Sequence, residues 1–195
     1  MTLRLLLLLG AGALPAAAGA QVAPVTRSVP VTASAPPVCA IREPIVAAGG
    51  QINFRGLNGN TLQIDHLVDP HTLAAAAASV NITFDAVCNY PHRLILEAQN
   101  NGLWQTSQRP PDAPPGFAYA VPYTATIDWG VEHGRLEADA KVRRIADRSI
   151  LVDHPTSGEI TIRLEIDAGA SNTQANAPLL AGSYGDTLRI TLEPQ

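Results

Sequence analysis

The sequence predicts an all-β fold, an antiparallel β-sandwich, on three observations. Apolar residues recur with period two over four stretches, which is the spacing of strands with one buried face. The positions between them are polar, as in antiparallel sheets with one wet face. Turn residues (mostly Gly, Pro and Asn) separate the stretches, and several short strands divided in this way pack as a sandwich.

The first residues stand apart from that pattern. Arg4 carries one positive charge, Leu5 to Leu9 form an apolar run, and Ala18-Gly19-Ala20 has the small-x-small form of a signal peptidase site. The run is too short for a transmembrane helix, and Pro15 weakens it further. Residues 1–20 are therefore expected to be a cleaved secretory signal, with Gln21 opening the mature chain. That chain of about 175 residues is long enough for one domain burying roughly 70% of its unfolded surface.

Residues 21–37 form a second distinct segment, rich in Pro, Val, Thr, Ser and Ala, with Arg27 as its only charge. Pro24, Pro30, Pro36 and Pro37 forbid a stable helix. Val25, Val29, Val31, Ala33 and Ala35 share one parity, so an extended chain places them along one edge. Composition leaves two readings open here, an apolar-edged arm and a disordered linker.

The body follows. Val80, Ile82, Phe84, Ala86 and Cys88 alternate within residues 79–88, and Val121, Tyr123, Ala125, Ile127 and Trp129 within 121–129. Ile160, Ile162, Leu164 and Ile166 alternate with charged and Thr neighbours over 159–167. Leu188, Ile190 and Leu192 do so over 187–192. Weaker strands are expected at 51–54, 61–64, 93–98 and 149–152. Residues 73–78 are alanine-rich and suit a short helix. Residues 135–143 alternate well although their types favour helix, and a charged strand at a sheet edge is expected there, where it discourages stray pairing. Residues 109–116 hold four prolines and read as a stiff surface loop, and Pro155 to Gly158 as a tight turn.

Charge and cysteine content narrow the function. Without Arg4, 12 basic residues face 17 acidic ones, which argues against nucleic acid as a partner. Cys39 and Cys88 are the only cysteines. In an oxidising compartment two lone cysteines are expected to pair. No catalytic constellation emerges. His66, His71, His92, His133 and His154 are scattered, and their spacing matches no metal pattern. Asp153, His154 and Ser157 lack the glycine elbow of a hydrolase. The chain is expected to have no catalysis, no cofactor, no metal and no small-molecule substrate. The apolar stripe places Trp129 in a core.

The stretch from Pro178 to Leu192, with Ala-Gly-Ser-Tyr-Gly-Asp-Thr at 181–187, resembles the closing motif of the spore coat protein U family. Val29-Pro-Val-Thr-Ala33 with Cys39 resembles its N-terminal strand and first cysteine. Gln51-Ile-Asn-Phe54, Val80-Asn-Ile-Thr83 with Cys88, and residues 119–126 resemble further strands in the same order. The family includes subunits of archaic (Csu-type) chaperone–usher pili. The resemblance implies an immunoglobulin-like sandwich over residues 38–195 that lacks its last strand. A periplasmic chaperone, and then the arm of the next subunit, would fill the gap. Residues 21–37 then become a donor strand, with Val25, Val29, Val31 and Ala33 as its buried edge. Pro30, which has no N–H, must face an unpaired direction. The groove and closing strand would comprise Ile160, Ile162, Leu164, Ile166, Tyr184, Leu188, Ile190 and Leu192. The implied partners are neighbouring subunits, the chaperone and an outer-membrane usher. The implied location is the cell surface, reached through the periplasm, and the implied role is attachment and biofilm formation. The alternative is a self-contained secreted coat or binding module whose arm folds onto its own sandwich.

Overall fold

A computed structural model describes residues 24–107 and 114–195. The expected signal at 1–20 lies outside them, as does most of the proline-rich loop. The chain divides into two units, Met1–Ala35 and Pro36–Gln195. In the first, the described residues 24–35 have no regular secondary structure, and every one is exposed. The second is an all-β sandwich, and no helix occurs among the described residues.

The first layer is an antiparallel sheet centred on two eleven-residue strands, β5 (Ala78–Cys88) and β12 (Thr156–Ile166). Their length follows from unbroken alternation: Ile160, Ile162 and Leu164 sit opposite Phe84, Ile82 and Val80 on the inner face. β9 (Tyr123–Trp129) pairs on the far side of β12, and β10 (Glu132–Ala138) forms that edge. At the other edge, β1 (Cys39–Ile41) and β2 (Ile45–Ile52) share the free side of β5 one after the other. The second layer is β11 (Ala146–Val152), β6 (His92–Ala98) and β14 (Leu188–Pro194) in that order. Small accessory ladders pair β3 (Phe54–Asn58) with β4 (Thr61–Ile64), and β7 (Leu103–Gln105) with both β8 (Ala120–Val121) and β13 (Tyr184–Gly185).

The core lies between the layers. Val80, Leu96, Ala125, Ile127, Ile160 and Ile162 are fully buried, and Trp129 packs among them as its stripe predicts. Polar alternates face out, and two opposite-charge pairs lie in register across β6 and β14. Arg189 is opposite Glu97 at 3.7 Å, and Glu193 is opposite Arg93 at 3.5 Å.

The strands expected at 61–64, 93–98 and 149–152 are present, the last two within the longer β6 and β11. The strand expected at 51–54 is split between the end of β2 and the start of β3, because Asn53 takes φ +60°, and three further local expectations fail. Residues 73–78 form no helix: Leu73 has φ +61°, and Asp69 and Ala76 donate backbone hydrogen bonds across a loop to Ala74 and Leu67. Their alanines are small because Ala74, Ala75 and Ala78 pack into the core. The edge strand expected at 135–143 stops at Ala138, since Ala140 takes φ +54°. The turn expected from Pro155 to Gly158 is instead the start of β12, with Thr156 opposite Cys88. Long-range pairing to β5 has overridden local turn chemistry.

Candidate functional site: an open groove at a free strand edge

The two flanks of the sandwich differ. On one, β10 packs beside β11. On the other, β14 hydrogen-bonds to β6 alone, and its second edge has no ladder partner among the described residues. Between that edge and β1 runs an apolar groove of about 300 Å³. Its floor is Ile82, Phe84 and Ile162 from the first sheet, and its walls are Leu188 and Ile190 on one side and Ile41, Pro44 and Leu57 on the other.

Burial records the gap directly. Leu94 and Leu96 on β6 are 1% and 0% exposed. Their cross-strand partners Leu192 and Ile190, facing the same way, are only half-buried, as is Leu188. Phe84 is also half-buried, although Val80 and Ile160 beside it are fully buried. A sandwich that completed its core would cover these side chains as it covers the rest.

The expected site residues distribute as follows. Ile162, Leu188 and Ile190 line the groove. Leu192 is on β14, packed against the core. Ile160 and Ile166 lie deeper on β12, at 0% and 3% exposure, and Leu164 is half-buried. Tyr184 is on β13, apart from β14, and donates its hydroxyl to Leu180 O at 2.7 Å. Burial of that hydroxyl pushes its pKa up to about 12. Ile82 and Phe84 were legible only as an inward stripe; that they floor an opening depends on β14, about a hundred residues later. Ile41, Pro44 and Leu57 carry no periodic signal.

In the first unit, Val25, Val29 and Val31 are 89%, 82% and 93% exposed, and Ala33 is exposed too. The disulfide Cys39–Cys88 is formed across β1 and β5. It pins the strand that makes one wall of the groove. Asn89 reinforces that hold: its side chain accepts from Val38 N at 2.8 Å and donates to Pro36 O at 2.9 Å.

A larger cleft of about 610 Å³ lies between the β3–β4 hairpin and residues 182–186. Its charged groups are already engaged. Arg55 pairs with Asp65 at 2.5 Å. Asp186 accepts from Asn100 N, Thr187 N, Gly102 N and the Tyr123 hydroxyl, at 2.7–3.1 Å. This carboxylate staples the start of β14 to the β6–β7 turn, a structural use of the Asp186-Thr187 pair. Among the described histidines outside the core, His133 is bound to Asp128 at 2.5 Å on an exposed hairpin, and His66 and His71 sit in an exposed loop.

No family model matches the chain, and no curated protein or solved structure matches it.

Proposed function

We propose that this chain is a structural subunit of an exported fibre assembled by donor-strand complementation, in the manner of the chaperone–usher pilus subunits that its closing motif resembles. The observation that carries the reading is the groove: a free β14 edge above an uncovered apolar floor, in a chain that also carries an exposed, single-parity valine edge. An inserted strand would complete the β14 ladder and cover Phe84, Ile162, Leu188 and Ile190.

The dimensions suit such an insertion. Residues 25–35 extended would span roughly 36 Å at about 3.3 Å per residue, enough to run beyond the seven residues of β14. Burying Val25, Val29 and Val31 with two alanines would contribute on the order of 6–10 kcal/mol before ordering costs. Pro30, which has no N–H to donate, would have to face away from the β14 ladder. A free edge over apolar side chains also invites stray pairing, which supports a chaperone that shields it before assembly. The disulfide is compatible with an oxidising, exported setting. The role in this reading is mechanical, without catalysis, and serves surface attachment.

The test compares the mature chain with a truncated chain beginning at Pro37, both made in the periplasm and separated by size-exclusion chromatography. The full chain is expected to form ordered multimers. The truncated chain is expected to stay monomeric and to accept a peptide of residues 21–36. Two stable monomers indifferent to the peptide would refute the reading and favour the self-contained secreted module.

A further inference from the structure

A second cluster lies apart from the groove lining. Cys39 Sγ, Cys88 Sγ and a ring nitrogen of His92 all fall within 4.8 Å of one another. Cys88 and His92 are 1% and 0% exposed. His92 Nδ1 lies 2.8 Å from Tyr90 O. A carbonyl can only accept, so Nδ1 carries the proton and Nε2 keeps its lone pair. That Nε2 is buried and has no hydrogen-bond partner. An imidazole oriented through one nitrogen by a backbone carbonyl, with the other free, is the arrangement that metal-binding histidines adopt.

We propose that the dithiol form of this protein holds a d10 metal ion, Zn²⁺ or Cu⁺, between Cys39, Cys88 and His92. Two thiolates and one imidazole are the donor set such ions favour. The site is present before the bridge forms, or after a dithiol reductant opens it. In the second case the reductant gives two electrons and two protons to the disulfide and becomes a disulfide itself. Metal binding then releases both thiol protons. Metal occupancy and the bridge are therefore mutually exclusive states of the same three residues.

Noncovalent contacts also hold the three ligand residues. Asn89 clamps the approach to Cys39 through Val38 N, Pro36 O and its own backbone N–H to Val38 O at 3.1 Å. His92 is held by the β6–β14 ladder, by Gln195 Nε2 donating to its carbonyl at 3.1 Å, and by its ring against Trp129 at a centroid distance of 4.9 Å. Opening the bridge frees the sulfurs to separate, and these noncovalent contacts do not depend on it.

The experiment reduces the mature protein with a non-thiol reductant under anaerobic conditions and titrates it with Co²⁺, then with Zn²⁺ as competitor. One equivalent of Co²⁺ is expected to produce thiolate-to-cobalt charge-transfer absorption that Zn²⁺ abolishes. Zn²⁺ is expected to raise the Tm of the reduced protein and leave the oxidised protein unchanged. His92→Phe keeps an aromatic ring against Trp129, and its fold is checked in the oxidised state by near-UV circular dichroism. It is expected to weaken Co²⁺ binding by roughly ten- to a hundred-fold or more, the scale of losing even an outer-shell group. Absence of the charge-transfer band, an unfolded reduced chain that metal does not refold, or a His92→Phe affinity equal to that of the parent would each overturn the site.

Discussion

At the scale of single residues, the stretch 181–187 and its partners resolve into structural tasks. Gly182 adopts φ +150°, and a Cβ there would meet Gln105 Nε2 at 2.5 Å. Gln105 cannot easily yield, since its Nε2 donates to Ala181 O at 2.8 Å. Gly182→Ala is expected to cost about 1–3 kcal/mol, measured by urea denaturation. Tyr123 is buried with its hydroxyl donating to Asp186 at 2.9 Å. Tyr123→Phe is expected to lose about 1.5–3 kcal/mol, the range for a hydrogen bond to a charged group. The same pair gives a pH dependence with a definite sign. Burial first, and then the Asp186 charge, push the Tyr123 hydroxyl far above its ordinary value of 10.0. The folded state thus keeps a proton that the unfolded chain releases, so stability is full below pH 10 and falls as pH rises beyond it. A pH series of thermal melts shows this, and Tyr123→Phe removes that part of the slope. Asp139 acts at the other end of the scale: the backbone N–H of Lys141 holds its carboxyl below the ordinary range. Its contribution persists at neutral pH and is lost only as pH falls through that lowered value.

At the scale of elements, β14 is the strand on which the functional reading turns. Its alternation was plain in the sequence, and its register on β6 places Arg189 beside Glu97 and Glu193 beside Arg93. Its free edge was not legible, because an edge is defined by which neighbour is missing. Ile190→Asp removes about 1.5–3 kcal/mol of apolar burial from any inserted strand, or roughly ten- to a hundred-fold in affinity. The truncated chain carrying it is expected to bind the residue 21–36 peptide that much more weakly by calorimetry. Arg189→Ser, on the outward face, leaves binding unchanged. The bridge acts on β1 in a similar way. Joining residues separated by 49 positions restricts the unfolded chain by about 4 kcal/mol in a chain-entropy treatment. A Cys39→Ser, Cys88→Ser double variant is expected to lose about that much in denaturant unfolding. The β12 start shows the opposite lesson. Pro155, Thr156, Ser157 and Gly158 have turn chemistry, yet Thr156 to Gly158 pair with Cys88 to Ala86.

At the scale of the whole molecule, the described residues cover one flank of the sandwich and leave the other open, so an occupant of the proposed groove would add to its stability. A ligand that binds only the folded state stabilises it by RT ln(1 + [L]/Kd), about 2.7 kcal/mol at a hundredfold excess over Kd. Added residue 21–36 peptide is therefore expected to raise the Tm of the truncated chain in a concentration-dependent way. A scrambled peptide of equal composition, which breaks the valine parity, does not.

Periodicity alone determined that this is a β protein, which residues face inward, and where most long strands lie. Alternation is a local property, and each strand carries its own. Cysteine count and the expected export likewise anticipated the Cys39–Cys88 bridge. Tertiary structure decided what alternation cannot encode: that β1 and β2 share one edge of β5, that β14 ends its sheet, and that Ile82, Phe84 and Ile162 lie beneath a gap. It also decided that His92, one of five scattered histidines in the sequence, is buried beside the disulfide. Those facts are relations between segments far apart in the chain, and they arise only when the two layers pack and the apolar faces find, or fail to find, a cover.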